Sequence, residues 1–163
     1  MTLHRWPPAV PPDELGAVVH GPVILARATG IVAGLRCVFA YSTGIFLPLV
    51  LRAEGVYAEA ASRQAFGPHG EPITDSNDTR SWSLPQVHIE VNDQAGFTDS
   101  SGGSSSGGEN SFEMQADHWI DELPRDGRVT ITVAWPQAGL PESRTTLVLE
   151  GLDDLHERVL PLL

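Results

Sequence analysis

Along much of the chain, apolar and polar side chains alternate with a period of two, a pattern that predicts half-buried strands. In "QVHIEVN" (86–92), Val87, Ile89 and Val91 share one side, and His88, Glu90 and Asn92 the other. In "SFEMQADHW" (111–119), Phe112, Met114 and Ala116 oppose Glu113, Gln115 and Asp117. "RVTITVAWP" sets Val129, Ile131, Val133 and Trp135 against Arg128, Thr130 and Thr132, and "RTTLVLE" (144–150) reads as a last strand. Nearer the start, "PVILARAT" (22–29) is a short apolar run. In "IVAGLRCVFAY", Ile31, Ala33, Leu35, Cys37, Phe39 and Tyr41 fall on one side and Arg36 on the other. After the "STG" turn, "IFLPLVLR" (45–52) is apolar almost without a break. Pro48 donates no ladder hydrogen bond, which predicts a sheet edge or a bulge there.

Two segments depart from this period. Residues 56–66, "VYAEAASRQAF", are alanine-rich and favour a short helix. Over 152–160, Leu152, Leu155 and Val159 recur at helical spacing, with Asp153 and Asp154 at the positive end and Arg158 toward the negative end. That predicts a C-terminal helix stopped by Pro161. Residues 1–17 read as a Pro-rich lead-in and 67–84 as a long loop. Many short strands without alternating long helices predict one all-β domain over 1–163, an immunoglobulin-like sandwich of about seven strands.

The tract "AGFTDSSGGSSSGGENSF" (95–112) lies between two cleanly alternating strands. The expectation is that 86–92 and 111–119 pair in one sheet, with 93–110 as a solvated hairpin loop. "GSSSG" (103–107) fits the G-x-S-x-G pattern of hydrolases. No apolar strand leads directly into it and no helix follows, so it lacks the strained turn that chemistry needs.

Composition narrows the chemistry. All ten basic residues are arginine, which removes lysine Schiff-base and Walker-type phosphate chemistry. The net charge of −11 is uneven: residues 1–53 carry +2 and residues 54–163 carry −13. So acidic a surface repels phosphate backbones and argues against nucleic acid as a partner. Cys37 is the only cysteine, which rules out an internal disulfide and fits a reducing, cytoplasmic setting. The N-terminus has no apolar h-region of a secretory signal. The window 31–51 is long enough to span a bilayer, but Arg36, Pro48 and the "YSTG" turn argue for two strands and against a membrane segment.

Three candidate functions remain open. His88, Glu90, Asp117 and His118, with Asp121 and Glu122 near by in sequence, supply ligands for a divalent metal if their strands pair, which would suit a metal-dependent hydrolase using His88, Glu90 and His118. Asp75, Asp78, Asp93 and Asp99 lie in loops that could chelate calcium. Trp82 and Trp119 fall outside the inward set and are candidate anchors for a protein partner. Cys37, on the apolar side, reads as a core thiol. No catalytic constellation emerges, and no cofactor beyond a divalent metal is suggested. The leading expectation is therefore a non-catalytic binding module that presents long loops or a sheet face to a macromolecular partner.

"VFAYSTGIFLPLVLR" and "VTITVAWPQAGLPESRTTLVLEGLDDL", with the closing "LPLL", resemble a group of small actinobacterial proteins. These share an aYs-G strand pair, a glycine-rich tract and a W-P-x-x-G-[LI]-P-E turn. The resemblance implies a β-sandwich and a high-GC bacterial source, and carries over no activity and no site residues.

Overall fold

The computed structural model of the protein describes residues 4–66 and 84–163, and within them the period of two becomes the two faces of antiparallel sheets. The strands are β1 (Glu14–Leu15), β2 (Ala17–His20), β3 (Val23–Ala28), β4 (Ile31–Leu35), β5 (Val38–Tyr41), β6 (Gly44–Glu54), β7 (Gln86–Val91), β8 (Gln94–Phe97), β9 (Gly102–Gly107), β10 (Ser111–Ile120), β11 (Arg128–Trp135), β12 (Leu140–Val148) and β13 (Leu160–Pro161). Helix α1 (Val56–Phe66) falls where the alanine-rich segment predicts it. A four-residue helix α2 (Leu155–Arg158) lies near the C-terminus.

The strands form an all-β sandwich. One sheet has seven strands, ordered β2-β5-β6-β10-β9, with β4 also on β6 and β3 on β4. The other has four, ordered β12-β11-β7-β8, and β1 pairs separately with β13. The inward rows of the two larger sheets, among them Leu47, Leu51, Phe112, Ile89, Ile131 and Trp135, merge into one core. At about 0.8 kcal/mol per buried CH₂, this shared interior is the main source of stability. Helix α1 lays Ala58, Ala61 and Ala65 on the core, and Phe66 meets Phe112 with ring centroids 6.1 Å apart. Tyr57 fits between two left-handed glycines, Gly30 (φ 74°) and Gly139 (φ 91°), where a Cβ would collide with its ring.

Four features differ from the pattern reading. First, 31–41 is two strands. Leu35 faces Leu49, but Phe39 faces Phe46, so one extra residue is taken up opposite Pro48. The slip inverts the alternation. Ile31, Ala33 and Leu35 point inward, then Val38 and Ala40, leaving Cys37, Phe39 and Tyr41 on the outer side and Cys37 only half-buried. Pro48 lies inside a central strand, at the interruption between β4 and β5.

Second, β7 and β10 are not neighbours. β7 lies between β11 and β8, whereas β10 lies between β6 and β9 in the other sheet. Residues 93–110 are not a hairpin loop but hold β8 and β9. The Gly/Ser run is an edge strand, paired from Gly107 opposite Phe112 to Gly102 opposite Asp117. Its side chains have no apolar alternation to reveal it, and the ladder to β10 satisfies the backbone groups on that side of the strand.

Third, the lead-in is part of the fold. The His4 and Trp6 amides donate to the carbonyls of Ala95 (2.8 Å) and Phe97 (2.9 Å), covering the edge of β8, and Trp6 is buried in the core. A Cβ on Gly96 would overlap the His4 carbonyl, so only glycine lets the two backbones meet. Fourth, the C-terminal helix is shorter than 152–160. Val159 is extended (φ −82°, ψ 130°), and the chain then pairs with β1. The expected loop 67–84 lies outside the described residues apart from Leu84.

Candidate binding face

The outward row of β6 is unusual for a solvated sheet face. Phe46, Pro48 and Val50 point away from the core, and only Arg52 and Glu54 at its end are charged. Register extends this character across the sheet. Val18 lies opposite Phe39, Phe39 opposite Phe46, and Phe46 opposite Trp119. A second row runs Ile24, Gly34, Val50, Gln115, and a third runs Arg27, Val32, Arg52, Glu113. The face thus grades from aromatic, through aliphatic, to charged.

Its aromatic end is rigid. Tyr41 and Trp119 meet edge to face at 5.8 Å, and Trp119 lies over Gly44, where a Cβ would press on the indole. Tyr41 lies over Gly16 in the same way. Burial raises the Tyr41 phenol above its ordinary pKa, helped by the negative charge of Glu14. Glu14 is itself fixed by the Ser42 amide (3.1 Å) and hydroxyl (2.9 Å), which both donate to Oε1. The aliphatic end is open: Ile24 is 49% exposed, beside a shallow depression of about 320 Å³ bordered by Val32, Val50, Arg36 and Arg52. Arg52 pairs with Glu113 at 2.5 Å. Arg27 and Arg36 are exposed and form no ion pair among the described residues.

The residues singled out from the sequence are distributed differently. Trp119 belongs to this face but is buried beneath Tyr41, so it supports the surface and is not an exposed anchor. Trp82, Asp75 and Asp78 lie outside the described residues. Asp117 and His118 point to opposite faces of β10: Asp117 outward across from Pro48, and His118 inward across from Leu47. Burial raises the Asp117 carboxyl. His88 and Glu90 are on the outer face of the other sheet. There His88 packs edge-on against Phe97 at 5.2 Å, and Glu90 is held by Arg144 at 3.0 Å. The proposed ligand set is therefore split between two sheets, and among the described residues no three His, Cys, Asp or Glu side chains gather to hold a metal. Of the loop aspartates, Asp93 faces Arg125 at 3.5 Å and Asp99 takes the Arg5 Nε–H at 2.8 Å, at opposite ends of β8.

Among the described residues, His118 is the titratable group most altered by the fold. It is 5% exposed, its Nδ1 lies 3.3 Å from Thr98 Oγ1, and burial pushes its pKa down to about 4 against the opposing influence of Asp99. Ser104, Ser105 and Ser106 lie on an exposed edge strand, not on a nucleophile turn. Among the described residues no helix is long and apolar enough to cross a membrane, which leaves membrane-crossing strands unaddressed. No known protein family matches the chain, and no curated protein or solved structure matches it either.

Proposed function

We propose that the protein is a non-catalytic binding module whose recognition surface is the outer face of the seven-stranded sheet. Its partner would be a protein segment in which apolar and acidic side chains are interleaved. The observation that carries this reading is the outward row of β6, Phe46, Pro48 and Val50, where polar residues are expected. Loss of the solvent shell over that row, with Ile24 and Val32 beside it, supplies the drive for association. Arg27 and Arg36 at its margin set the sign of the partner, because each keeps a full charge with no internal counterpart among the described residues. The surrounding acidity of residues 54–163 would repel the same partner elsewhere on the molecule. A pre-formed sheet surface costs little ordering entropy on binding.

Selection of displayed peptides on the immobilised protein tests this. Enriched sequences should interleave Asp or Glu with Leu, Ile, Phe or Trp. Their affinity should fall at least tenfold for Val50→Glu and for Arg36→Glu, and decline with added salt. Enriched peptides that bind both variants undiminished, or no enrichment at all, would contradict the proposal.

A further inference from the structure

On the opposite side of β10 from the candidate face, a groove of about 480 Å³ opens between β9, the 98–100 crossover and the end of α1. Leu49, Phe66 and Met114 line it, with His118 reaching it from the core. Apolar walls joined by the serines of β9 and by two buried polar side chains, Thr98 and His118, are a composition a small molecule can occupy, and the volume falls in the usual range.

One arrangement of the groove's hydrogen bonds is self-consistent. The Asp99 carbonyl can only accept, and the Thr98 hydroxyl lies 3.5 Å from it. A Thr98 hydroxyl that donates there receives its second bond from His118 Nδ1–H, at 3.3 Å. Burial keeps the imidazole neutral at neutral pH, so with its proton on Nδ1 the Nε2 is bare, and among the described residues nothing donates to that nitrogen. Among the described residues only Trp6 Nε1 is a buried side-chain nitrogen or oxygen without a partner, so His118 Nε2 is not sealed from solvent, and a ligand hydroxyl can donate to it. Among the described residues the groove offers no free charge: the Asp99 carboxylate is taken up by Arg5, Nε at 2.8 Å and Nη2 at 2.5 Å.

We infer that this groove binds an uncharged, largely apolar molecule bearing one hydroxyl, which donates its proton to His118 Nε2. The groove shares only Gln115 with the outer face described above, so either reading can fail without the other.

The test follows the His118 Cε1–H and Nε2 resonances during titration of the intact protein. The probes are 2-naphthol, its saturated analogue decahydro-2-naphthol, naphthalene, and naphthalene-2-carboxylate. At least one alcohol should move both resonances saturably and bind tenfold or more tighter than naphthalene and than the carboxylate. In His118→Leu, which keeps the groove apolar, the alcohol's advantage over naphthalene should vanish. Thr98→Val, which frees the tautomer while leaving the ring in place, should reduce that advantage. Neither alcohol moving His118, naphthalene or the carboxylate binding as well as the alcohols, or an unchanged preference in His118→Leu would each overturn the inference.

Discussion

His118 shows how far a single residue can be read from its strand. The alternation that sends Phe112 and Met114 inward also sends His118 inward, so its burial was legible by parity. Its separation from His88 was not, because parity says which face a residue takes but not which sheet that face belongs to. Its titration has a consequence for stability. The folded pKa of about 4 lies below the ordinary 6.5, so between these values the unfolded chain holds a proton that the folded chain refuses. Stability is complete above pH 6.5, falls as the pH drops toward 4, and levels off below, with a loss on the order of 3 kcal/mol. Asp117 acts with the opposite sign: its raised carboxyl makes ionisation unfavourable in the fold, and acid relieves that. Urea unfolding at several pH values should show a decline over the His118 window that is largely absent in His118→Leu. A decline of equal size in that variant would assign the acid sensitivity to other groups. Cys37 and Tyr41 teach the complementary lesson, since one extra residue opposite Pro48 turns both from the core to the outer face.

At the scale of elements, strands with apolar alternation were legible and strands without it were not. β7, β10 and β11 bury a regular row, and the sequence marks them plainly. β9 is Gly-Gly-Ser-Ser-Ser-Gly with every residue exposed, so its strand character comes only from pairing with β10. The N-terminal segment was equally silent, because Pro-rich composition hides a docking that depends on one glycine in β8. Gly96→Ala should expel the backbone of His4 and with it Trp6 from the core. Trp6→Ala alone should cost about 3–5 kcal/mol, as for other large core aromatics. Because both changes undo one docking event, the double variant should lose little more than Trp6→Ala alone, and a double-mutant cycle by urea unfolding measures this. Losses that add, or a Gly96→Ala variant as stable as the parent, would show that the segment is not held this way.

For the whole molecule, the all-β sandwich was legible from short alternating strands, yet the partition of strands between sheets was not. Adjacent patterned strands invite pairing, but the chain crosses at 98–101 from the four-stranded to the seven-stranded sheet. That crossing disperses the expected metal ligands. It also leaves β6 central, with apolar side chains on both faces, the physical meaning of the nearly unbroken run in 45–52. The inner row builds the core, and the outer row, beside arginines that form no ion pair among the described residues, is the proposed recognition surface. Methyl chemical-shift mapping with an acidic, apolar peptide obtained by selection addresses this most directly. The account predicts that shifts concentrate on the methyls of Ile24, Val32 and Val50 and spare those of Val129 and Val133 in the four-stranded sheet. Shifts that leave the first group untouched and fall elsewhere would contradict it.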